Sequence, residues 1–226
     1  MLGITTLVVV FSVLEVVFVV ALRVPEQIAG APMRTVRPLM LREVYANPEK
    51  EVVRMRRGGR LVKIAPGTYT AKPDSVPADA EWFPDFEEAA MAYATCQYGP
   101  RIPVLFGIGA ARFHHAIPRA IAVTVIAVPQ PHQSVRLTSG GKVLFTTTDV
   151  DRLDARLERG RLGTFLVATR EQTLIELVAR PGLGGLPGEA LAAARTLVPQ
   201  VDRDRLGELL VGKAKTVQKK VAEVMR

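Results

Sequence analysis

One cysteine, one tryptophan and three histidines stand in 226 residues, and aromatic side chains make up 6% of the chain. With Cys96 alone no intramolecular disulfide forms, so nothing argues for an oxidising compartment and the cytoplasm is the default. No Cys/His framework has zinc spacing. The adjacent His114 and His115, on an expected helix, point ~100° apart and do not share a metal, and His132 sits alone in a proline-rich loop. Asp149, Asp151 and Asp154 lack the glycine and closing glutamate of a calcium loop and read as a solvated helix start. No Gly-Lys-Ser/Thr phosphate loop occurs, and Gly107-Ile108-Gly109 lacks the third glycine of a dinucleotide fingerprint, so these glycines read as turn residues. Cys96 reads as a small core residue. No nucleophile-base pair stands out, and neither a cofactor nor a metal is expected. What the chain does have is 48% hydrophobic residues with only 18 glycines and 16 prolines, which excludes a disordered or collagen-like polymer and fits one large domain or two small ones.

The formal net charge of +8 is unevenly spread. The stretch 34–72 alone carries +7, the last sixteen residues carry +4 through Lys213, Lys215, Lys219, Lys220 and Arg226, and the long middle is slightly acidic. A dense basic stretch is the footprint of phosphate-backbone binding, although basic surfaces also meet acidic proteins and membranes. The amino terminus is the opposite in character. Residues 2–22 form an almost unbroken apolar run with Glu15 as its one charge, long enough to cross a bilayer as a helix. The glutamate costs roughly 3 kcal/mol at midspan, against roughly 0.3–0.6 returned by each large apolar residue. No Lys or Arg precedes the run, so it makes a poor secretory signal. Three readings stand: a dispensable leader ahead of a start near Met33 or Met40, a membrane or interface attachment, or a segment packed on the body. Residues 29–32 read as a linker.

The basic stretch has an order of elements that names a DNA-binding motif. Spacing of Leu39, Leu41, Val44 and Tyr45 predicts a helix over 35–46, with Pro38 in its first turn. Asn47-Pro48 then starts a second helix over 48–57, Asn as the cap and Pro as the first helical residue. Val52, Val53 and Met55 are expected to face the core, and Lys50, Arg54, Arg57 and Arg56 to face out. Gly58-Gly59 ends it, and alternation over 60–64, the Ala65-Pro66-Gly67 turn and 68–70 predict a hairpin. Helix, turn, basic helix and basic hairpin make a winged helix-turn-helix, in which the second helix enters the major groove and the hairpin follows the backbone or minor groove. Arginine serves guanine edges or phosphates, and Thr68 and Tyr69 offer hydroxyls to phosphate. The plainer reading is a solvated basic face, or a protein-docking module.

Beyond it, 72–84 reads as a linker with Trp82 and Phe83 as an aromatic plug. Asp85 with Glu88 resembles a capping box for a helix over 86–98. A short apolar run at 104–106, a helix over 110–116, strands over 120–128, 134–137, 142–148 and 161–168, a helix over 170–179 and a helical tail over 187–197, 202–210 and 214–225 follow. Strands followed by helices without regular alternation predict an α+β fold. The expected division is a leader and linker over 1–32, the winged helix over 33–73, and an α+β body over 74–226.

Three stretches together resemble the AbiEi family, antitoxins of type IV toxin-antitoxin modules. They are 56–69 (RRGGRLVKIAPGTY), a basic run leading into a G-x-Y wing; 104–115 (VLFGIGAARFHH) with 121–125 (IAVTV); and 169–185 (TREQTLIELVARPGLGG). The likeness spans about 34–225, with a short first helix, Glu176 where aspartate is usual and Gln172 where arginine is usual. The resemblance implies an antitoxin that neutralises a nucleotidyltransferase-like toxin through its body. It further implies repression of the antitoxin's own operon by binding inverted repeats, with self-association on the DNA. The DNA contacts it implies are Arg54, Arg56, Arg57, Arg60, Lys63, Thr68 and Tyr69, while Lys213, Lys215, Lys219 and Lys220 offer a second basic surface. The rival expectations are an enzymatic antitoxin that modifies the toxin covalently and a regulator tethered to a membrane through 2–22.

Overall fold

The structure, a computed structural model, describes residues 24–226; the apolar run 2–22 and the readings attached to it lie outside the described residues. The chain is mixed α+β. Among the described residues it forms a three-stranded and a six-stranded sheet with helices α1 to α8 around them.

The first unit begins with a single helical turn, α1 (Glu26–Ala29), and a 3-10 turn at Pro32–Arg34. The linker expected over 29–32 is thus part of a packed unit, in which Ile28 is fully buried. The helix expected over 35–46 does not form. Thr35–Val36 is instead a strand, β1, followed by a 3-10 turn at Pro38–Leu41. Two causes act together: Pro38 holds Arg37 extended at φ −109°, ψ 148°, and the β-branched Thr35 and Val36 find partners in Thr70 and Tyr69. Helix α2 (Pro48–Arg57) has the expected bounds, with Asn47 Oδ1 accepting from Lys50 N at 3.1 Å. Strands β2 (Leu61–Ala65) and β3 (Thr68–Ala71) follow, and the sheet order is β1-β3-β2, all antiparallel.

The β2–β3 hairpin is a partition. Leu61 and Ala71, paired across it, join Ile28, Val36, Leu41, Val52 and Met55 in a small core. Ile64 and Ala65 belong to the main core, and the backbone carbonyl of Ile64 accepts from Thr138 N of the body at 2.8 Å. The stretch 72–84 is a strap rather than a free linker: Lys72 Nζ donates to the carbonyls of Ala78 and Ala80, and Trp82 and Phe83 pack on the main core.

Helix α3 (Phe86–Tyr98) joins the units. Its alanines 89, 90, 92 and 94 and Met91 are all inaccessible to solvent, as a helix apolar on every side must be. One side meets β1, β2 and β3, the other the six-stranded sheet. That sheet comprises β4 (Val104–Phe106), β5 (Val123–Val128), β6 (Val135–Arg136), β7 (Lys142–Thr147), β8 (Ala155–Arg159) and β9 (Thr164–Ala168), in the order β6-β7-β5-β4-β9-β8. Pairs β5–β7 and β4–β9 are parallel and the others antiparallel. Strand β8 corrects the helix start expected at Asp149–Asp154, where only a 3-10 turn, Val150–Arg152, remains.

Helix α4 (Gly107–Phe113) follows β4 directly, three residues earlier than expected. Gly109 is a packing residue rather than a turn residue, because a Cβ there would strike Thr124 Oγ1 and Leu105. Helix α4 packs on β4, β5 and β9 and is covered in turn by α5 (Arg170–Ala179), whose following residue Arg180 lies over the Phe106 ring at 5.4 Å and reaches Thr146 of β7. Helices α6 (Pro187–Leu197) and α8 (Lys215–Val224) pack on α5, as does α7 (Arg203–Leu210). No helix of the described residues is long and apolar enough to cross a membrane.

Candidate nucleic-acid interface and a charged cleft

On α2 the inward positions are Val52 and Met55, at 0% and 1% exposure. With ~100° per residue, Lys50, Val53, Arg54 and Arg57 share the opposite face, and all four are exposed. Val53 is the correction here: at 41% exposure it faces solvent between cations, because the small core needs only Val52 and Met55 from this helix. Arg54 is paired with Glu51 at 2.7 Å one turn earlier. Arg56 lies on the flank, at a pocket of about 360 Å³ shared with Lys63, Lys72 and Trp82.

The hairpin residues divide. Lys63 and Tyr69 sit opposite each other and are half-buried, and Tyr69 packs against the small core. Arg60 is half-buried, and its Nε is enclosed without a hydrogen-bond partner. Thr68 is fully buried and its hydroxyl donates to the Pro66 carbonyl at 3.4 Å. Its expected donation to phosphate is therefore corrected: the side chain points into the fold, as alternation about the bulged Lys63–Ala65 pairing requires. The exposed hairpin tip is Pro66 and Gly67.

Lys213, Lys215, Lys219 and Lys220 are all exposed, and none forms an ion pair among the described residues. Helix α8 turns Val217, Val221 and Val224 inward, leaving Lys215 and Lys219 on its outer side. The two basic surfaces ride on different parts of the molecule: α8 packs on α5, and the first unit packs on α3.

A feature the sequence did not suggest lies between the start of α3, the end of α4 and the β8–β9 turn: a cleft of about 800 Å³. Asp85 takes the cap position of α3 without a side-chain capping bond, and Glu88 turns away to accept from Leu162 N at 2.7 Å, so the capping box is not made. Burial raises the carboxyl pKa values of Glu87 and Glu88, opposed by Arg112 at Glu87 and by the Leu162 amide at Glu88. Gly160 is required, because a Cβ would fall on the Glu88 carboxylate. His114 ends α4, with Nε2 2.7 Å from the Ala168 carbonyl, and burial lowers its pKa below the ordinary histidine value. The neutral ring therefore donates through Nε2 and keeps a lone pair on Nδ1. His115, exposed, takes φ +59° at the helix exit.

The remaining singular residues have structural roles. His132 stacks on Phe145 at 4.4 Å and contacts the Tyr93 and Tyr98 rings. Cys96 is half-buried with its thiol 3.7 Å from Met40 Sδ, and burial pushes its pKa up to about 11, so it stays a thiol. Asp154 is bound to Arg205 and Thr169, each at 2.7 Å. Among the described residues no group of three His, Cys, Asp or Glu side chains is placed to hold a metal. No model of a known protein family matches the chain, and no curated protein matches it.

Proposed function

We propose that the chain is a DNA-binding antitoxin whose first unit acts as a winged helix-turn-helix. The observation that carries this reading is topological: α2 enters between β1 and β2 of a β1-β3-β2 sheet and turns a cationic face outward. A helix so held, with a hairpin beside it, is the arrangement in which a recognition helix enters the major groove. Lys50, Arg54 and Arg57 supply phosphate or guanine contacts, Val53 offers an apolar contact to a thymine methyl, and Lys63 and Tyr69 flank from the hairpin. The resemblance in 56–69, 104–115 with 121–125, and 169–185 extends the reading to a partner, a nucleotidyltransferase-like toxin bound by the body, and to autorepression through inverted repeats in the operator.

Titration of the full chain against DNA from upstream of its own gene tests the reading. Arg57→Ala should weaken binding about tenfold or more and lower the salt slope by about one unit. Unchanged affinity and slope would overturn it. Coexpression with a neighbouring nucleotidyltransferase-like protein should restore growth for both the parent and Arg57→Ala, since neutralisation is assigned to the body.

A further inference from the structure

The cleft beside α3 includes none of the residues assigned above to DNA, and its volume of about 800 Å³ falls in the range of small-molecule sites, ~300–1,000 Å³. Its lining carries both signs: Asp85, Glu87, Glu88 and Glu158 with Arg112, Arg159, Arg161 and Arg170. Arg159, Arg161 and Arg170 are exposed around the mouth, and none makes an ion pair among the described residues. Arg161 is steadied over Trp82, 5.9 Å from the ring centroid. Deeper, the Glu87 side chain is 12% exposed, its Oε1 enclosed without a hydrogen-bond partner and 3.4 Å from Arg112. The lone pair on His114 Nδ1 is a second acceptor. Phe113 and Phe165, packed edge to face at 5.8 Å, supply an apolar wall.

A ligand that suits the unpaired arginines, the Glu87 carboxylate and the aromatic wall carries an anion at one end, N–H donors at the other and a flat apolar surface between. An inorganic anion satisfies only the mouth, and a simple amine only the floor. The Glu87 oxygen is ion-paired with Arg112 but accepts no hydrogen bond, and a buried carboxylate gains from a donated N–H. We propose that the cleft binds a nucleoside phosphate whose base carries an amino group, the phosphate held by Arg159, Arg161 and Arg170 and the base donating to Glu87. Guanine, with two adjacent N–H donors, fits the floor best.

Calorimetric titration of the full chain with GMP, UMP and ribose 5-phosphate tests the proposal. GMP should bind at least tenfold more tightly than the other two. Arg170→Ala should lower GMP affinity about tenfold or more, and Glu87→Gln should remove the preference for GMP over ribose 5-phosphate while leaving ribose 5-phosphate binding unchanged. Arg57→Ala, on the DNA face, should bind GMP like the parent, which keeps the two sites distinguishable. No heat with millimolar GMP, equal affinity for GMP and ribose 5-phosphate, or binding indifferent to Arg170→Ala and Glu87→Gln would each overturn the proposal. The far-ultraviolet circular dichroism of each variant should match the parent, so that a loss of binding is read on folded protein.

Discussion

His114 couples the end of α4 to the last residue of β9 through one hydrogen bond, and it does so as the neutral ring. Burial lowers its pKa, against the opposing effect of the Ala168 carbonyl. A folded value below the unfolded ~6.5 means that its contribution to stability is complete above that pH and is lost as pH falls through the folded value. Melting temperature should therefore decline as pH is lowered from about 7.5 to about 5.5, and His114→Gln should flatten the decline; superimposable profiles would rule His114 out as the titrating group. Asp154 acts in a lower window. Burial alone would raise its pKa, but hydrogen bonds from Arg205 and Thr169 outweigh it and hold the carboxyl below its ordinary value. Its contribution is present above about pH 4 and lost on further acidification. Glu87 and Glu88, with raised values, have the opposite sign: stability falls as pH rises through their folded values.

Helix α2 is defined at both ends by local chemistry, but its exit also depends on a distant segment. Gly59 takes φ +68°, and a Cβ there would fall on the Ala78 carbonyl of the strap. Gly67, at the hairpin tip, takes φ +65° with nothing within 4 Å of such a Cβ. Alanine at either position meets the left-handed backbone cost of roughly 1–2 kcal/mol. Only Gly59→Ala adds the clash with a backbone carbonyl, which the strap cannot relieve without releasing Lys72. Urea denaturation should show Gly59→Ala losing clearly more stability than Gly67→Ala. Equal losses would mean that the strap yields freely, and that 72–84 behaves as the loose linker its composition suggests.

The two basic ends of the chain ride on different elements of the folded molecule. The +7 of 34–72 belongs to a unit seated on α3, while Lys215, Lys219 and Lys220 ride on α8, packed on α5, and Lys213 on the connection leading into it. In the function proposed above the duplex is held by α2 of the first unit, so replacing Lys213, Lys215, Lys219 and Lys220 together by glutamine should leave the salt slope of operator binding unchanged, in contrast to Arg57→Ala. A slope reduced by several units would show that DNA also reaches α8. The buried, alanine-rich α3 makes the relation between the units fixed rather than adjustable: side chains no larger than alanine at 89, 90, 92 and 94 allow sheets to approach it from both sides.

Wherever a few neighbouring residues supply the physics, the sequence by itself determined the outcome. Asn47 and Pro48 open α2, Thr169 accepts from Gln172 N to open α5, and Pro187 starts α6; each helix has the bounds these signals imply. The cationic face of α2 followed from periodicity once its start was known. Tertiary structure decided what depends on distant partners. Thr35 and Val36 became a strand because Thr70 and Tyr69 were there to pair with, and Val53 was left outside because Val52 and Met55 filled the small core. Thr68 was drawn inward by hairpin register, which no local pattern around it specifies. The cleft was the least legible feature, since Glu87, His114 and Arg170 stand far apart in the chain and acquire a common surface only when α3, the end of α4, the β8–β9 turn and the start of α5 converge. Local propensity and capping act over a few residues, whereas burial and electrostatic pairing depend on which segments the fold brings together.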